Sequence, residues 1–306
     1  MTTEQRQLGT SDLRISSVAL GCWPLAGITS GQMTDEAAVR VIASALDAGI
    51  NHLDTAYAYG REGESERRIA LALRGRRDRL VVATKVGVYW DDAGVLQLTA
   101  DPALLRRHVE ESLRRLAVDE VDLLYLHAPA PGASLADAAG LFRDLLQEGK
   151  TRAVGVSNLS VDQLAAFQAE CPVVACQVRY NLLQREIEGD VLPWCRAQQV
   201  SVIAYEPLAL GLLTGKFGPD HVFADEDWRR QSPLFTGEAW TQNLATVARL
   251  RPIAAKFGCS LAQLAVGWTI SRAGVTAALC GAKEPDQIRE TAQAMRLADA
   301  LQAVEL

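Results

Sequence analysis

Along the chain, short unbroken apolar runs alternate with longer stretches in which apolar residues return every three or four positions. The runs at 18–23, 49–54, 80–85, 121–126, 151–156, 173–177, 200–205 and 275–280 predict strands buried on both faces. Helices are predicted between them. Thr34 caps one with Ala37, Val41, Ala45 and Leu46 on one face, ended at Gly49. Others cover 64–73, 102–116, 135–147, 160–169, 186–198, 241–257, 261–271 and 284–297. Eight such strands, each followed by a helix, predict the α/β class and a closed (β/α)8 TIM barrel. The stretch 7–16, with Gly9-Thr10-Ser11-Asp12 at its centre, predicts an N-terminal β-hairpin. A Gly- and Pro-containing segment, 206–237, is too long for an ordinary barrel loop after the seventh strand, and loops of that length are usually functional.

Length and composition narrow the function classes. Barrels of roughly 250 residues fold as one unit, so the 306 residues are expected to form a single domain spanning 1–306. The net charge of −6 carries no basic stripe, so neither nucleic acid nor an anionic membrane is an expected partner. Arginines gather at 74–79, where the interleaved Asp78 and Glu66 suggest a solvated helix end. No apolar run approaches the ~20 residues of a membrane span, and the polar start, 1–7, does not read as a signal peptide. Cys22, Cys171, Cys176, Cys195, Cys259 and Cys280 are scattered among apolar neighbours, as expected of reduced core residues in a cytoplasmic protein. The four histidines are far apart and no metal site is expected. Oligomeric state is not assigned by any of this.

Three of the strand-like runs end on residues with chemistry: at Asp54, at Lys85 and at His127, with Tyr59 on the loop five residues beyond Asp54. In a parallel barrel these ends converge on one face. Bringing a free phenol to neutrality takes about 4 kcal/mol of differential stabilisation. A lysine ammonium beside it supplies most of that, provided a carboxylate keeps the amine charged and in place. Asp54 fits that role. Tyr59 would then donate a proton to an oxygen gaining negative charge and take it back in reverse, with His127 orienting the same oxygen. The set suits carbonyl reduction. Each member also has an ordinary explanation: a turn cap for Asp54, packing for Tyr59, a hydrogen-bonded core imidazole for His127. Lys85 weighs most, because lysines are few here (85, 150, 216, 256 and 283) and burying one without purpose is costly.

Asp54-Thr55-Ala56-x-x-Tyr59-Gly60, Thr84-Lys85 and Leu126-His127 resemble, in order and spacing, the catalytic pattern of the aldo-keto reductases. The likeness continues through Gly155-Val156-Ser157-Asn158, Gln177-x-x-Tyr180-Asn181, Tyr205-Glu206-Pro207-Leu208 and Gly211-Leu212-Leu213-Thr214-Gly215-Lys216. It ends near Gly281-Ala282-Lys283-x-Pro285-x-Gln287-x-x-Glu290. The resemblance implies a (β/α)8 barrel and reversible, nicotinamide-dependent carbonyl reduction, with Tyr59 as acid and Lys85, Asp54 and His127 in support.

No strand-linked G-x-G-x-x-G is present, so a dinucleotide would lie across the barrel mouth. By the resemblance, Tyr205 would stack on the nicotinamide and Ser157, Asn158 and Gln177 would hold its carboxamide, with Trp23 adding a wall. Glu206, Pro207, Leu208, Leu210, Gly211 and Lys216 fall in the segment that resembles the family's pyrophosphate strap. Gly281 and Lys283 precede a helix whose N-terminus favours phosphate, and Gln287 and Glu290 would address the adenine. A cation at 283 suits a 2′-phosphate, so NADPH is expected over NADH, which stays possible. Glu206 departs from the family's usual serine, and Thr291 from an asparagine. Trp23, Tyr57 and Trp90, with His127, would wall the substrate pocket, and Asp91 and Asp92 would suit a polyhydroxy substrate. Trp228 and Trp240 would either close over the cofactor or pack. The expected partner is thus a small-molecule carbonyl or sugar. Two alternatives stay open: an NADP(H)-sensing regulatory subunit on the same barrel, and a Schiff-base aldolase using Lys85.

Overall fold

The computed structural model describes residues 5–28, 32–75, 80–132, 134–225, 227–304 and 306; Arg76, Arg77, Asp78 and Arg79 of the arginine cluster lie outside these. A hairpin opens the fold, β1 (Gln5–Gln7) pairing antiparallel with β2 (Arg14–Ser16). There follow β3 (Val18–Gly21), α1 (Asp35–Asp47), β4 (His52–Asp54), α2 (Glu64–Ala72) and β5 (Val81–Val86). A second hairpin, β6 (Val88–Trp90) with β7 (Leu96–Leu98), comes next and is not predicted by the apolar pattern. Alternation resumes with α3 (Pro102–Leu116), β8 (Val121–Leu126), α4 (Leu135–Gln147), β9 (Thr151–Ser157) and α5 (Val161–Glu170). It continues with β10 (Ala175–Arg179), α6 (Val191–Ala197), β11 (Ser201–Tyr205), α7 (Gly237–Lys256) and α8 (Leu261–Ser271). The chain closes with β12 (Val275–Gly281), α9 (Pro285–Ala292) and α10 (Ala298–Leu301).

Parallel pairing runs β3–β4–β5–β8–β9–β10–β11–β12 and back to β3, closing the expected (β/α)8 barrel. Alternation along each strand sorts its residues between two apolar layers. Val81 and Ala83, Leu123 and Tyr125, and Ala277 and Leu279 fill the interior, while Val82, Leu124 and Ala278 pack outward under the helices. One end of the interior is plugged by the first hairpin. Leu8, Leu13 and Ile15 join the inner cluster, and the Gly9 amide donates to Ser201 Oγ at 2.8 Å. A close approach explains Gly155. A Cβ there would lie 2.4 Å from the Tyr125 ring, which is wholly buried inside the barrel.

Two predicted helices are subdivided. Residues 186–198 form a 3-10 turn, Glu186–Gly189, then α6, because Asp190 leaves helical geometry (φ −146°, ψ −68°). Residues 284–297 form α9 and a 3-10 turn (Gln293–Arg296), and α10 begins just beyond them at Ala298. Thr291 Oγ1 donates back to the carbonyls of Gln287 (3.1 Å) and Ile288 (3.3 Å), a bond that bends helices near their ends. Among its described residues the 206–237 segment has 3-10 stretches at Ala209–Thr214 (broken at Leu210 and Gly211), Trp228–Gln231 and Pro233–Phe235, with Phe217, Phe223 and Phe235 clustered together. Trp240 packs on Phe235 at 5.6 Å, whereas Trp228 is exposed. All six cysteines are free thiols, five of them buried. Among the described residues no single helix is long and apolar enough to cross a membrane.

Candidate active site

Alternation decides which strand-end side chains meet. On β5, Val81 and Ala83 point inward, so Lys85 does too, while Thr84 points out toward the helices. The same rule turns Asp54 inward on β4 and Gln177 inward on β10. Lys85 Nζ donates to Asp54 Oδ1 at 2.5 Å, to the Thr55 carbonyl at 2.8 Å and to the Tyr59 hydroxyl at 3.2 Å. Lys85 is wholly buried and Asp54 is 1% exposed. Gln177 Nε2 donates to the other carboxylate oxygen, Asp54 Oδ2, at 2.8 Å. His127 closes the group, its ring 5.8 Å from that of Tyr59 in an edge arrangement, and Trp23 meets Tyr59 edge-on at 4.9 Å. The four residues read from strand ends therefore do converge.

Burial would discharge Lys85, but Asp54 and Tyr59 more than offset it and hold the ammonium above its ordinary pKa. For Tyr59, burial is the larger influence and pushes the phenol up; Lys85 pulls it down only in part. The expected acidification toward neutrality is therefore not present in the free protein, and Tyr59 keeps its proton. Burial, with Lys85 nearby, lowers the His127 imidazole to about 3, so it is neutral. Its Nδ1 is buried without a partner among the described residues.

Several residues expected to touch the cofactor are engaged with the protein. Gln177 anchors Asp54. Asn158 (φ +61°) takes the Tyr205 hydroxyl on Oδ1 at 2.9 Å and donates to Ser157 Oγ (3.0 Å) and the His127 carbonyl (3.3 Å). It thereby latches the ends of β8, β9 and β11. Gln287 Oε1 accepts from the Lys283 and Glu284 amides at 2.8 and 3.3 Å, capping α9. Glu290 is exposed, and Gly281 ends β12 beside Pro24. The strap is unusual in its backbone. Glu206, Ala209 and Leu210 all have left-handed φ (53°, 47° and 58°), ahead of Gly211 at 92°. Non-glycine residues held there cost about 1–3 kcal/mol each and gather at ligand clamps. Pro207, within the strap, is buried, and the Gly211 amide donates to the Leu208 carbonyl at 2.9 Å. Burial raises the Glu206 carboxyl and Arg179 opposes that.

A cation missing from the sequence reading joins this region. Arg229, within 206–237, binds Asp227 at 2.5 Å and reaches the Leu210 carbonyl at 3.4 Å. Lys216 and Lys283 are each lowered by burial first and then by Arg229, with Lys283 also acting on Lys216. Three like charges thus gather beside the strap, two from the long segment and one from the loop after β12. The signal in the sequence was modest: Lys216, Arg229 and Arg230 are the cations of the long segment.

On the substrate side the outcome is mixed. Trp23 stands at the mouth against Tyr59. Trp90 lies on β6 and donates from Nε1 to the Ala58 carbonyl at 2.9 Å, closing over the Tyr59 loop. Tyr57 is turned out of the pocket onto α3, where its hydroxyl donates to Glu111 at 2.7 Å. Asp91 accepts from the Val95 amide and from Gln97 Nε2, both at 2.8 Å, so it closes the β6–β7 turn instead of facing a sugar. Glu66, read as part of a solvated helix end, is wholly buried and bonded to Thr84 and Arg115.

Comparison with known proteins agrees with this geometry. The model described as "Aldo/keto reductase family" matches residues 17–303. Aldo-keto reductase YhdN of Bacillus subtilis (strain 168) is 34% identical over 93% of this chain and 86% of its own length. The NADH-specific methylglyoxal reductase of Escherichia coli (strain K12) is 30% identical over 95% and 93%. Among solved structures, a glycerol dehydrogenase of Gluconobacter oxydans superposes with a TM-score of 0.88 at 35% identity, covering 99% of this chain and 96% of that one. An aldo-keto reductase of Bacillus halodurans in its holo form gives 0.79 at 27%, covering 98% and 94%. Over nearly its whole length, then, the chain is a member of the aldo/keto reductase family and an oxidoreductase.

Proposed function

We propose that this enzyme reversibly reduces an aldehyde, ketone or sugar carbonyl with NADPH, Tyr59 serving as the general acid. The observation that carries the reading is Lys85 Nζ, which touches both Asp54 (2.5 Å) and the Tyr59 hydroxyl (3.2 Å). A nicotinamide bound across the mouth would supply the hydride. Tyr59, protonated in the free enzyme, gives its proton to the carbonyl oxygen as negative charge builds there, and the Lys85 ammonium stabilises the phenolate that remains. His127, being neutral, orients that oxygen by hydrogen bonding and not by charge. Asp54 and Gln177 hold the ammonium in place from below.

The preference for NADPH rests on Lys216, Arg229 and Lys283. Asp227 already pairs with Arg229 and eases both lysines, yet burial and Arg229 still lower Lys216 and Lys283, so the set has charge to offer a phosphate. One relative is named as NADH-specific, which makes the choice worth measuring. The aldolase alternative fares poorly, because a Schiff-base lysine must be a neutral amine and Asp54 holds Lys85 charged. The regulatory-subunit alternative has no use for a complete Asp54, Tyr59, Lys85 and His127 set.

The test is a fluorescence titration with NADPH and NADH, then turnover of a carbonyl panel that includes methylglyoxal, glyceraldehyde and 4-nitrobenzaldehyde. Tighter binding of NADPH with turnover of at least one carbonyl is expected. Binding without turnover of any would favour the regulatory reading, and equal affinity for both cofactors would remove the phosphate assignment.

A further inference from the structure

Outside the barrel, a polar network closes on the loop that carries Tyr59. On α3, His108, Glu111 and Arg115 recur at three- and four-residue spacing and share a face. The Tyr57 ring stacks on His108 at 4.1 Å and takes the Arg115 guanidinium at 4.4 Å, while its hydroxyl bonds Glu111. Arg115 Nη1 donates to both the Tyr57 carbonyl and Glu66 Oε2, each at 3.3 Å. The other oxygen of Glu66 accepts from Thr84 Oγ1 at 2.7 Å, and Thr84 immediately precedes Lys85. The Tyr57 amide donates to the Lys85 carbonyl at 2.9 Å. One guanidinium thus ties the loop, two residues from Tyr59, to the strand, one residue from Lys85.

We propose that Arg115, acting through the Tyr57 carbonyl and Glu66, is a positioning residue that sets the Tyr59 hydroxyl against Lys85. The proposal rests on the reading of Tyr59 as the acid. The remaining carbonyls of the loop are tethered too: Thr55 by Lys85 Nζ (2.8 Å), Ala58 by Trp90 (2.9 Å) and Tyr59 by the Ser65 amide (3.2 Å). Arg115 of α3 supplies the tether at Tyr57, and with the Ser65 amide of α2 it fixes the loop from the helical layer. Stability alone is a poor reason for the network. Glu66 is wholly buried, and apolar side chains of similar volume would fill that space at no greater cost. A geometric task explains why a carboxylate and a guanidinium stand there.

Wild-type turnover, and its loss in Tyr59→Phe, tests the parent reading; variants at Arg115 test this one. Arg115→Lys keeps Glu66 paired but cannot span both acceptors. It should lower kcat about tenfold or more, since a displacement of ~1 Å can cost up to a hundredfold. KM, NADPH affinity and the thermal midpoint should stay near wild type. Arg115→Met should lose more kcat and some stability. Adding Glu66→Gln to it removes the stranded charge and should restore the midpoint but not kcat. A wild-type kcat in Arg115→Lys, a loss confined to KM, or recovery of kcat along with the midpoint in the double variant would each overturn the proposal.

Discussion

Tyr57 and Tyr59 sit two residues apart on one loop and do opposite things. Tyr59 reaches inward to Lys85 at 3.2 Å, and Tyr57 reaches outward to Glu111 at 2.7 Å. Phe at 59 keeps the edge contacts with Trp23 and His127 but removes the proton. Tyr59→Phe should therefore cut kcat by about 10²- to 10⁴-fold while leaving NADPH affinity almost unchanged; a variant retaining most of the rate would end the acid assignment. Because burial holds the phenol above its ordinary value, kcat/KM for reduction should be level through neutral pH. It should fall only on the alkaline side of about 10, the ordinary phenol value. A steep fall near neutrality would mean another group is the acid. At the phosphate end, Lys283→Ala and Arg229→Ala should each weaken NADPH by roughly tenfold or more, the scale of a charge-assisted hydrogen bond, and leave NADH nearly unaffected. Equal losses for both cofactors would show that neither side chain reads a 2′-phosphate.

At the scale of elements, what was legible follows from period. A strand buried on both faces announces itself as an apolar run, and its last residue inherits a direction from those before it. Asp54, Lys85 and His127 could therefore be found from the sequence. Loop residues carry no such rule, which is why Tyr57 was expected in the pocket and Asp91 at a substrate. The protein partners of a polar side chain have no period either: that Gln177 anchors Asp54 and Gln287 caps α9 appears only in the fold. Arg115 and Glu66 were hidden because a charged residue on a helix ordinarily reads as solvated. Gly155 was legible only as part of a motif, and its physical reason appears with the neighbouring strand. A methyl there meets the Tyr125 ring at 2.4 Å and the Ala175 carbonyl at 3.0 Å. Gly155→Ala should cost about 1–3 kcal/mol by overpacking, read as a lower denaturation midpoint; an unchanged midpoint would mean that β8 and β9 separate more easily than the packing suggests.

For the molecule as a whole, buried histidines set how it responds to acid. His108 is lowered by burial to about 4, His127 by burial and Lys85 to about 3, and His52 is lowered by burial. A base with a depressed folded pKa is neutral in the fold while the unfolded chain takes up a proton below about 6.5. Stability is then full above that value and is lost as pH falls toward the folded values. Carboxylates held below their ordinary range, such as Asp227 and Glu188, act in the same direction but only below about 4.5. Glu66 acts oppositely, since its raised carboxyl is relieved by acid. Between about pH 7 and 5 the histidines should therefore dominate, and stability should fall. His108 offers a clean probe because its Nδ1 has no partner among the described residues and its ring packs between those of Tyr57 and Tyr89. Phe at 108 keeps the stack and cannot titrate. In urea unfolding, His108→Phe should recover up to about 2 kcal/mol of the loss wild type shows at pH 5, while differing little at pH 7. If both proteins lose equal stability over that interval, His108 is not the buried neutral base this packing makes it.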